Sequence, residues 1–321
     1  MNITVLGSGA FAKGIINILS NNKDNHIKIW THDEDYAKKA NKQGKITLKD
    51  KMYLNLDNIS ITSNLEEALD GSKIIFILVS SKYYGDLITE LKEFNLKNKA
   101  IYIGTKGMIG IKPYFLSDYT KKSLKVSNIS FFAGPNLADD LLINSPCIIT
   151  LASKKKKEYL TLKKIFPSFI KLEYISYINI VELCSILKNI YAIGAGIFYA
   201  KYPYSSTLVS YTTLASKELA KILYNKYAFE EIELYGGILG DFFLTNTMKE
   251  SRNFNFGLKR CESVKDSLEY AKKNTVEGYN NLGNILNYIG RYKSYTIINT
   301  LYDIIYKNQD VKALYNLIIE D

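Results

Sequence analysis

The chain begins with the stretch Ile3-Thr4-Val5-Leu6-Gly7-Ser8-Gly9-Ala10-Phe11-Ala12, and a helical pattern follows from Lys13 to Leu19. Four apolar residues indicate a buried strand, and the G-x-G-x-x-A pattern after them is typical of a strand–turn–helix unit that binds a dinucleotide. The first glycine allows the tight turn, the second lets the backbone approach a pyrophosphate, and the small third residue lets helix and strand pack closely. Free N–H groups at the helix N-terminus favour the phosphates. The stretch predicts a cofactor site at Gly7, Gly9, Ala10 and Phe11, the alternative being an ordinary glycine-rich turn.

Strand and helix patterns alternate through the first half of the chain. The run Lys73–Val79 is continuously apolar, as expected of a central parallel strand that is covered on both faces. Further strands are predicted at His26–Trp30, Ile59–Thr62, Ala100–Gly104, Ile129–Gly134 and Cys147–Leu151. This order predicts an α/β class, with an N-terminal doubly wound Rossmann-type domain whose ligand crevice lies at the carboxyl ends of the strands.

Helical periodicity replaces the strand patterns after about residue 176. The first predicted helix, Ile178–Tyr199, is long and mostly apolar. Others are predicted at Leu208–Tyr227, Val264–Tyr270, Thr275–Tyr288 and Ile297–Tyr306. We therefore predict a dinucleotide-binding domain at residues 1–176 and a mostly α-helical substrate and catalytic domain at residues 177–321.

The composition is typical of a soluble globular protein. Of the 321 residues, 47% are hydrophobic and 23% charged, which is ordinary for a globular protein. The first strand starts almost at Met1, which predicts no signal peptide, and no uncharged run reaches the roughly 18 residues of a membrane span. Three widely spaced cysteines indicate reduced thiols in a cytoplasm and no zinc site. The net charge of +10 is spread along the chain, so it favours an anionic, phosphate-bearing substrate over nucleic acid.

Two lysines are candidates for proton transfer. A dehydrogenase needs a group that protonates the alkoxide, most often histidine. Here the only histidines, His26 and His32, lie at the second strand beside the predicted cofactor. Lys188 stands inside the apolar helix, where burial could tune its amine into an acid or base, although it could equally reach the surface along its stem. Lys106 follows a strand end and is the second candidate.

Polar residues in the second half could hold a phosphate. Asp241 and Thr245 precede the block Ser251-Arg252-Asn253. Arginine binds phosphate through two parallel hydrogen bonds, and neutral Ser, Thr and Asn side chains add donors. Taken alone, the same residues fit an ordinary surface loop.

In combination these motifs resemble the bacterial type of NAD(P)-dependent glycerol-3-phosphate dehydrogenase, over essentially the whole chain. The resemblance rests on blocks that occur in one order: Gly7–Ala12, Thr105-Lys106-Gly107, Gly134-Pro135-Asn136-Leu137-Ala138, Glu182-Leu183-Cys184 with Leu187-Lys188-Asn189, Gly240-Asp241 with Thr245, Ser251-Arg252-Asn253, and Val276-Glu277-Gly278. It implies reversible hydride transfer between NAD(P)H and dihydroxyacetone phosphate, which gives sn-glycerol 3-phosphate for phospholipid synthesis.

The resemblance also implies residue roles. Lys188 would be the proton donor and acceptor. The implied substrate site consists of Lys106, Gly134, Asn136, Lys188, Asp241, Thr245, Ser251, Arg252 and Asn253. The implied cofactor site consists of Gly7, Gly9, Ala10, Phe11, His32, Lys106, Ala138, Arg252, Val276 and Glu277. The family commonly forms dimers, so a homodimer is implied as well.

The choice between NAD and NADP depends on the end of the second strand. An acid there usually binds the ribose 2′-hydroxyl of NAD, whereas arginine accommodates the 2′-phosphate of NADP. Related bacterial enzymes commonly have arginine where this chain has His32, and Asp33 and Glu34 follow it. We expect mixed use that leans to NADPH. Lys13, where the family usually has threonine, adds a charge near the pyrophosphate without an assigned role.

Two other functions fit the same architecture. One is a reductase of a different hydroxy or keto acid, against which the phosphate-binding residues argue. The other is a non-catalytic module that senses the cofactor, against which the set of Lys106, Lys188, Asp241 and Arg252 argues, because a sensor needs no proton-transfer groups.

Overall fold

The computed structural model describes residues 1–110 and 114–319. The strands are β1 (Asn2–Leu6), β2 (His26–Trp30), β3 (Lys45–Lys49), β4 (Met52–Asn55), β5 (Ile59–Thr62), β6 (Ile74–Ile77), β7 (Ala100–Ile103), β8 (Met108–Ile109), β9 (Tyr114–Phe115), β10 (Ile129–Ala133), β11 (Cys147–Ser153) and β12 (Ile170–Ile175). The α-helices are α1 (Ala10–Ser20), α2 (Glu34–Gln43), α3 (Leu65–Leu69), α4 (Ser81–Leu91), α5 (Leu116–Leu124), α6 (Ala138–Leu142), α7 (Lys156–Ile165), α8 (Ile178–Lys201), α9 (Ser205–Tyr227), α10 (Asp241–Thr247), α11 (Arg252–Glu262), α12 (Val264–Lys273), α13 (Glu277–Ile289), α14 (Thr296–Tyr306) and α15 (Lys312–Ile319).

The chain forms two compact units. The first consists of Met1–Thr105 and Leu116–Asn179, and the second consists of Lys106–Phe115 and the chain from Ile180 onward. The sequence predicted a single boundary between residues 176 and 177. In the structure Lys106–Phe115 also belongs to the helical unit, although it precedes that boundary. This short segment has no helical period of its own, so the local pattern carries no sign that it leaves the first unit.

The first unit is built on an eight-stranded sheet in the order β12-β11-β10-β7-β6-β1-β2-β5. Neighbouring strands are parallel, except that β10 and β11 are antiparallel. Val5 lies in register between Ile29 on one side and Phe76 on the other. β6 is buried along its whole length, as its apolar run predicts. The predicted parallel α/β fold is confirmed.

Gly7 makes the turn between β1 and α1. Its φ of +127° lies in a region that residues with a side chain rarely adopt, and a Cβ there would meet the backbone oxygen of Leu78 at 2.8 Å. Apolar residues on the inner side of α1, such as Ile15 and Leu19, are fully buried against the sheet. The turn therefore fixes where α1 starts relative to the carboxyl end of β1.

The second unit is helical, and its central helix is α8. Every residue from Ile180 to Phe198 is buried. Within the described part of the chain, α8 is the one helix long and apolar enough to cross a membrane, but its apolar window is completely buried inside the protein. Glu218 of α9 accepts hydrogen bonds from the Tyr191 hydroxyl at 2.8 Å and from the backbone N–H groups of Ile297 and Ile298. This buried carboxylate thereby links α8, α9 and the start of α14.

Candidate active site

Lys188, Asp241 and Lys106 form a charged cluster in the second unit. Lys188 lies on α8 with 5% of its surface exposed, and its Nζ pairs with Oδ1 of Asp241, which is 2% exposed. Lys106 Nζ lies 3.7 Å from the other carboxylate oxygen, Oδ2, and its side chain is partly exposed. Oδ2 has no hydrogen-bond partner among the described residues, although it is buried. The cluster thus offers a buried amine and a free acceptor oxygen side by side.

The surroundings set the protonation of the cluster. Burial lowers the pKa of Lys188 well below its ordinary value, because the charged ammonium loses hydration. The Asp241 carboxylate opposes this shift, and the Lys106 charge adds to it. An amine that both gives and takes a proton near neutral pH suits acid–base chemistry. The alternative interpretation, in which the Lys188 side chain reaches the surface, is wrong, because its amine is buried inside the protein.

Three helices meet beside Lys188 through asparagine side chains. Asn253 of α11 donates from Nδ2 to Oδ1 of Asn189 at 3.0 Å, and its own Oδ1 accepts from the backbone N–H of Gly278 at 2.8 Å. A Cβ on Gly278 would lie 2.4 Å from the backbone oxygen of Asn189, so only glycine allows this approach of α13 to α8. The Asn253 amide therefore holds helix starts in place around Lys188.

Asp241 and Thr245 belong to α10, which continues directly from a π-helical turn at Gly236–Gly240. Thr245 lies one turn after Asp241 and donates from Oγ1 to its backbone oxygen at 2.8 Å. Asn246, fully buried, donates to the backbone oxygens of Lys188 and Phe242. α10 thereby fixes the carboxylate of Asp241 against α8.

Ser251 and Arg252 stand at the start of α11. Ser251 is the N-cap, and its Oγ accepts from the N–H of Phe254 at 3.5 Å. The Arg252 side chain is exposed. Since Asn253 is tied to Asn189, the start of α11 is anchored next to the residue that follows Lys188. Arg252 is thus available for an anion in the same part of the unit.

Val276 and Glu277 precede Gly278 at the start of α13. Val276 is buried and serves as the N-cap position, and Glu277 is the first helical residue. Asn281, one turn on, accepts from the backbone N–H of Met108 at 3.0 Å and donates to the Glu277 backbone oxygen. This contact attaches α13 to the segment that carries Lys106.

The glycine-rich turn of the first unit has the features that a pyrophosphate requires. No side chain of the described residues caps the N-terminus of α1, and a Cβ at Gly9 would find no described atom outside its immediate chain within 4 Å. Ala10 opens the helix and is exposed, and the Phe11 ring stacks on Phe132 with centroids 6.1 Å apart. An open backbone with free N–H groups fits a dinucleotide phosphate.

The end of β2 is connected to this turn. Ser8 Oγ and Thr31 Oγ1 lie 2.9 Å apart. His32 is exposed, and its ring stacks on Tyr83 with centroids 5.9 Å apart. Asp33 accepts from the N–H of Tyr36 at 2.8 Å as the N-cap of α2, and Glu34 pairs with Lys38 at 2.7 Å. Both acids that could oppose a 2′-phosphate therefore already have partners on α2.

Gly134 and Asn136 lie in the connection from β10 to α6 in the first unit, which ends at Ala138. A Cβ on Gly134 would meet the backbone oxygen of Ile148 at 2.1 Å. The close packing of this residue against β11 is therefore enough to explain the glycine. Asn136 is buried and donates to the same oxygen at 3.4 Å. Ala138 is the first residue of α6. Their ligand roles stay predictions.

Sequence reasoning missed Asn189 and Asn246 as parts of the site. Both are buried: Asn189 accepts from Asn253, and Asn246 donates to the Lys188 backbone oxygen. A signal was present for Asn189, because it directly follows a lysine in an otherwise apolar helix. Asn246 lies five residues after Asp241, a spacing that carries no clear signal.

Two family models match the chain. Residues 2–159 match the N-terminus of NAD-dependent glycerol-3-phosphate dehydrogenase, and residues 178–316 match its C-terminus. Among similar proteins, glycerol-3-phosphate dehydrogenase [NAD(P)+] of Rickettsia bellii is 31% identical over 306 residues, covering 91% of this chain and 94% of that protein. The protein of the same name from Orientia tsutsugamushi is 28% identical over 284 residues, covering 87% of this chain and 85% of that protein.

Solved structures share the fold. The glycerol-3-phosphate dehydrogenase of Coxiella burnetii superimposes with a TM-score of 0.87 at 23% identity, covering all of this chain and 99% of that one. That of Plasmodium falciparum gives a TM-score of 0.88 at 20% identity, covering all of this chain and 96% of that one. On the strength of the two family models and the relative at 31% identity, the chain belongs to the family of NAD-dependent glycerol-3-phosphate dehydrogenases.

Proposed function

We propose that this chain catalyses reversible hydride transfer between NAD(P)H and dihydroxyacetone phosphate, with sn-glycerol 3-phosphate as the product of reduction. The observation that supports this most strongly is the buried Lys188 amine, paired with Asp241 and adjacent to Lys106. It provides a tuned proton donor in a unit that contains neither of the two histidines. Family membership supplies the substrate class.

Lys188 handles the proton of the reaction. A bound NAD(P)H, held at the glycine-rich turn, would supply the hydride that reduction of the carbonyl carbon requires. Lys188 Nζ donates a proton to the carbonyl oxygen as that oxygen gains negative charge, which completes the alcohol. In the reverse direction the neutral amine accepts the hydroxyl proton. Asp241 orients the amine through Oδ1, and its free Oδ2 can accept from a substrate hydroxyl or from Lys106.

The start of α11 binds the substrate phosphate in this proposal. Arg252 offers the planar fork that matches phosphate, and Ser251, Asn253 and Thr245 add neutral donors nearby. The overall charge of +10 further favours an anionic substrate. Gly134 and Asn136 edge the substrate site.

The cofactor lies along the glycine-rich turn, with its pyrophosphate at the backbone of Gly7, Gly9, Ala10 and Phe11. His32 lies at the adenosine end. The remaining proposed cofactor contacts are Ala138, Lys106, Arg252, Val276 and Glu277. Because Asp33 and Glu34 have partners on α2, we propose use of both cofactors with a preference for NADPH.

We propose a cellular setting for this reaction. We place the enzyme in the cytoplasm, as a homodimer that supplies glycerol 3-phosphate for phospholipid synthesis. Size-exclusion chromatography with light scattering tests the dimer.

A substrate panel tests the function. NADPH and NADH oxidation by the purified chain is measured with dihydroxyacetone phosphate, with dihydroxyacetone, and with unphosphorylated 2-keto acids. We expect the highest kcat/KM for dihydroxyacetone phosphate and a loss of at least about tenfold without the phosphate, since each charge-assisted hydrogen bond contributes roughly 1.5–3 kcal/mol. Faster turnover of a 2-keto acid would assign the chain to another reductase class. Tight cofactor binding without turnover of any of these would indicate a sensor.

A further inference from the structure

Lys13 is a half-buried cation in the first turn of α1 for which the reaction has no use so far. Its backbone N–H donates to the Gly9 oxygen at 2.9 Å, so it lies one helical turn beyond the glycine-rich turn. No carboxylate among the described residues forms an ion pair with its Nζ. Burial lowers the pKa of Lys13, which reflects the cost of holding this charge away from water. An anionic ligand would offset that cost.

The Lys13 side chain extends toward the first turn of α2, the helix that follows β2. Its Nζ lies 5.4 Å from the centroid of the Tyr36 ring. Tyr36 is the third residue of α2, and the N-cap of that helix, Asp33, comes three residues after β2. In a dinucleotide fold the pyrophosphate lies at the start of α1 and the adenosine ribose at the carboxyl end of β2. Lys13 therefore starts from the helix that binds the pyrophosphate, and its side chain extends toward the side where the adenosine ribose binds.

The charged residues near Tyr36 provide no acidic partner for Lys13 within the described residues. Asp33 is occupied by the N–H of Tyr36, and Glu34 is occupied by Lys38. The His32 ring is stacked on Tyr83. The neighbouring acids thus have partners in their own helix, whereas Lys13 has no acidic partner in the part of the chain that the structure describes. Its contact with the Tyr36 ring is a cation–π contact, which does not neutralise its charge.

We propose that Lys13 binds the 2′-phosphate of NADP(H) and that this contact makes the chain select the phosphorylated cofactor. The inference rests on the proposed dehydrogenase function and deepens it. A lysine ammonium offers a point charge with three donors, which suits a phosphate that no backbone cradle surrounds. NADH carries a hydroxyl at the same position and gains little from the charge.

Direct binding measurements with the full chain test the proposal. Dissociation constants are measured by calorimetry for NADPH, for NADH, and for the fragments adenosine 2′,5′-bisphosphate and AMP. The variants are Lys13→Gln, which removes the charge, and Lys13→Arg, which keeps it. Lys45→Gln is the matched control, since Lys45 also lies over a tyrosine ring, that of Tyr53, at 4.1 Å in the same unit. Circular dichroism checks that each variant is folded.

In Lys13→Gln, affinity for NADPH and for the bisphosphate should fall roughly tenfold or more, as for loss of a charged hydrogen bond. Affinity for NADH and AMP should hardly change, and Lys13→Arg and Lys45→Gln should bind like the wild type. Equal weakening of NADPH and NADH would place Lys13 at the pyrophosphate and overturn the proposal, as would no weakening at all. Failure of the wild type to bind either cofactor would instead overturn the dehydrogenase function itself.

Discussion

The amine of Lys188 is buried, because Lys188 lies on α8, a helix that is buried along nearly its whole length. The pairing with Asp241 makes the burial of this charge possible. Leaving a charge buried without a partner is strongly unfavourable, and the carboxylate supplies that partner directly. Because burial lowers the pKa of Lys188 while Asp241 raises it, the pair sets the pH range in which the amine exchanges its proton. In the proposed mechanism the rate of reduction depends on the protonated amine.

The pH dependence of reduction tests this balance. In the wild type, kcat/KM for dihydroxyacetone phosphate should fall as the pH rises through the lowered pKa of Lys188, because the acid form is lost. In Asp241→Asn the interaction that raises this pKa is removed. The falling limb should therefore move to lower pH, by about one to three units for an adjacent opposite charge.

Asp303→Asn is the control for that shift, because Asp303 is a carboxylate of the same unit that pairs with Arg291 and Lys307 at the surface. Both variants meet the same substrate, so ionisation of the phosphate affects their profiles equally. A limb that stays in place in Asp241→Asn would show that the carboxylate does not tune the reacting amine.

Arg252 is proposed to bind the substrate phosphate, and Arg252→Lys tests whether its planar fork matters. The variant keeps the charge but loses bidentate geometry. KM for dihydroxyacetone phosphate should rise by about one to two decades, as for a lost charge-assisted hydrogen bond of roughly 1.5–3 kcal/mol. KM for NADPH should rise much less, because Arg252 is only one of several proposed cofactor contacts.

Arg291→Lys is the matched control, since Arg291 is partly exposed and pairs with Asp303 at 3.0 Å. Unchanged substrate KM in Arg252→Lys would move the phosphate to another cation, and Lys106 would be the next to substitute.

The residue types of the cluster could be predicted from the sequence, but its contacts could not. A lysine in an apolar helix left a tuned amine and a surface-reaching lysine equally possible, and the position of both histidines at or just after the second strand removed the usual proton donor. The pairing of Lys188 with Asp241 joins residues 53 positions apart, and no local pattern encodes such a distance. Asn253 was assigned to the substrate, and the structure shows in addition that it connects Asn189 to Gly278.

At the scale of elements, the site depends on how closely α13 approaches α8. The first turn of α13 packs so tightly that the backbone of Asn189 occupies the space a Cβ on Gly278 would need. Glycine in a helix is unfavourable by roughly 0.5–1 kcal/mol relative to alanine. Its presence at this position is explained by the contact.

Gly278→Ala should therefore destabilise the protein, by about 1–3 kcal/mol or more as for overpacking against rigid backbone. Gly283→Ala on the same helix is the matched control, because a Cβ there meets no described atom within 4 Å. That control should be neutral or stabilising, by up to about 1 kcal/mol. Urea unfolding of both variants measures the difference, and equal stability of the two would contradict the close approach.

Elements with one strong period were predicted well. β2 and β5 have the predicted bounds, and the helices α8, α9, α12, α13 and α14 lie where helical periodicity placed them. The prediction lacks β12 and the hairpin of β3 and β4. These strands are partly exposed and alternate apolar with polar residues over few positions, so their pattern is weak. The two-residue strands β8 and β9 are too short to have a period.

At the scale of the whole molecule, the chain divides the reaction between two kinds of structure. The parallel sheet unit presents backbone N–H groups at a glycine-rich turn, which suits the pyrophosphate that NAD and NADP have in common. The helical unit presents side chains, which suits a proton transfer and a substrate that must be distinguished from similar compounds. Lys106–Phe115 belongs to the helical unit although the chain on both sides of it belongs to the sheet unit. That crossing could not be predicted from composition.

The central claim is that Lys188 provides the proton for reduction of dihydroxyacetone phosphate. Lys188→Met removes the amine and keeps the length and apolar character of the side chain. Turnover with NADPH is measured for the wild type, for Lys188→Met, and for Lys226→Met as control, because Lys226 bonds the Tyr288 backbone oxygen at the surface. NADPH binding and circular dichroism establish that each protein is folded.

The wild type and Lys226→Met should reduce dihydroxyacetone phosphate at similar rates. Lys188→Met should bind NADPH normally but lose about 10²–10⁴-fold in kcat, the usual contribution of a general acid. A folded Lys188→Met protein that kept more than about a tenth of the wild-type kcat would contradict the assignment of Lys188 as the proton donor. Loss of a general acid should reduce kcat by much more than about tenfold.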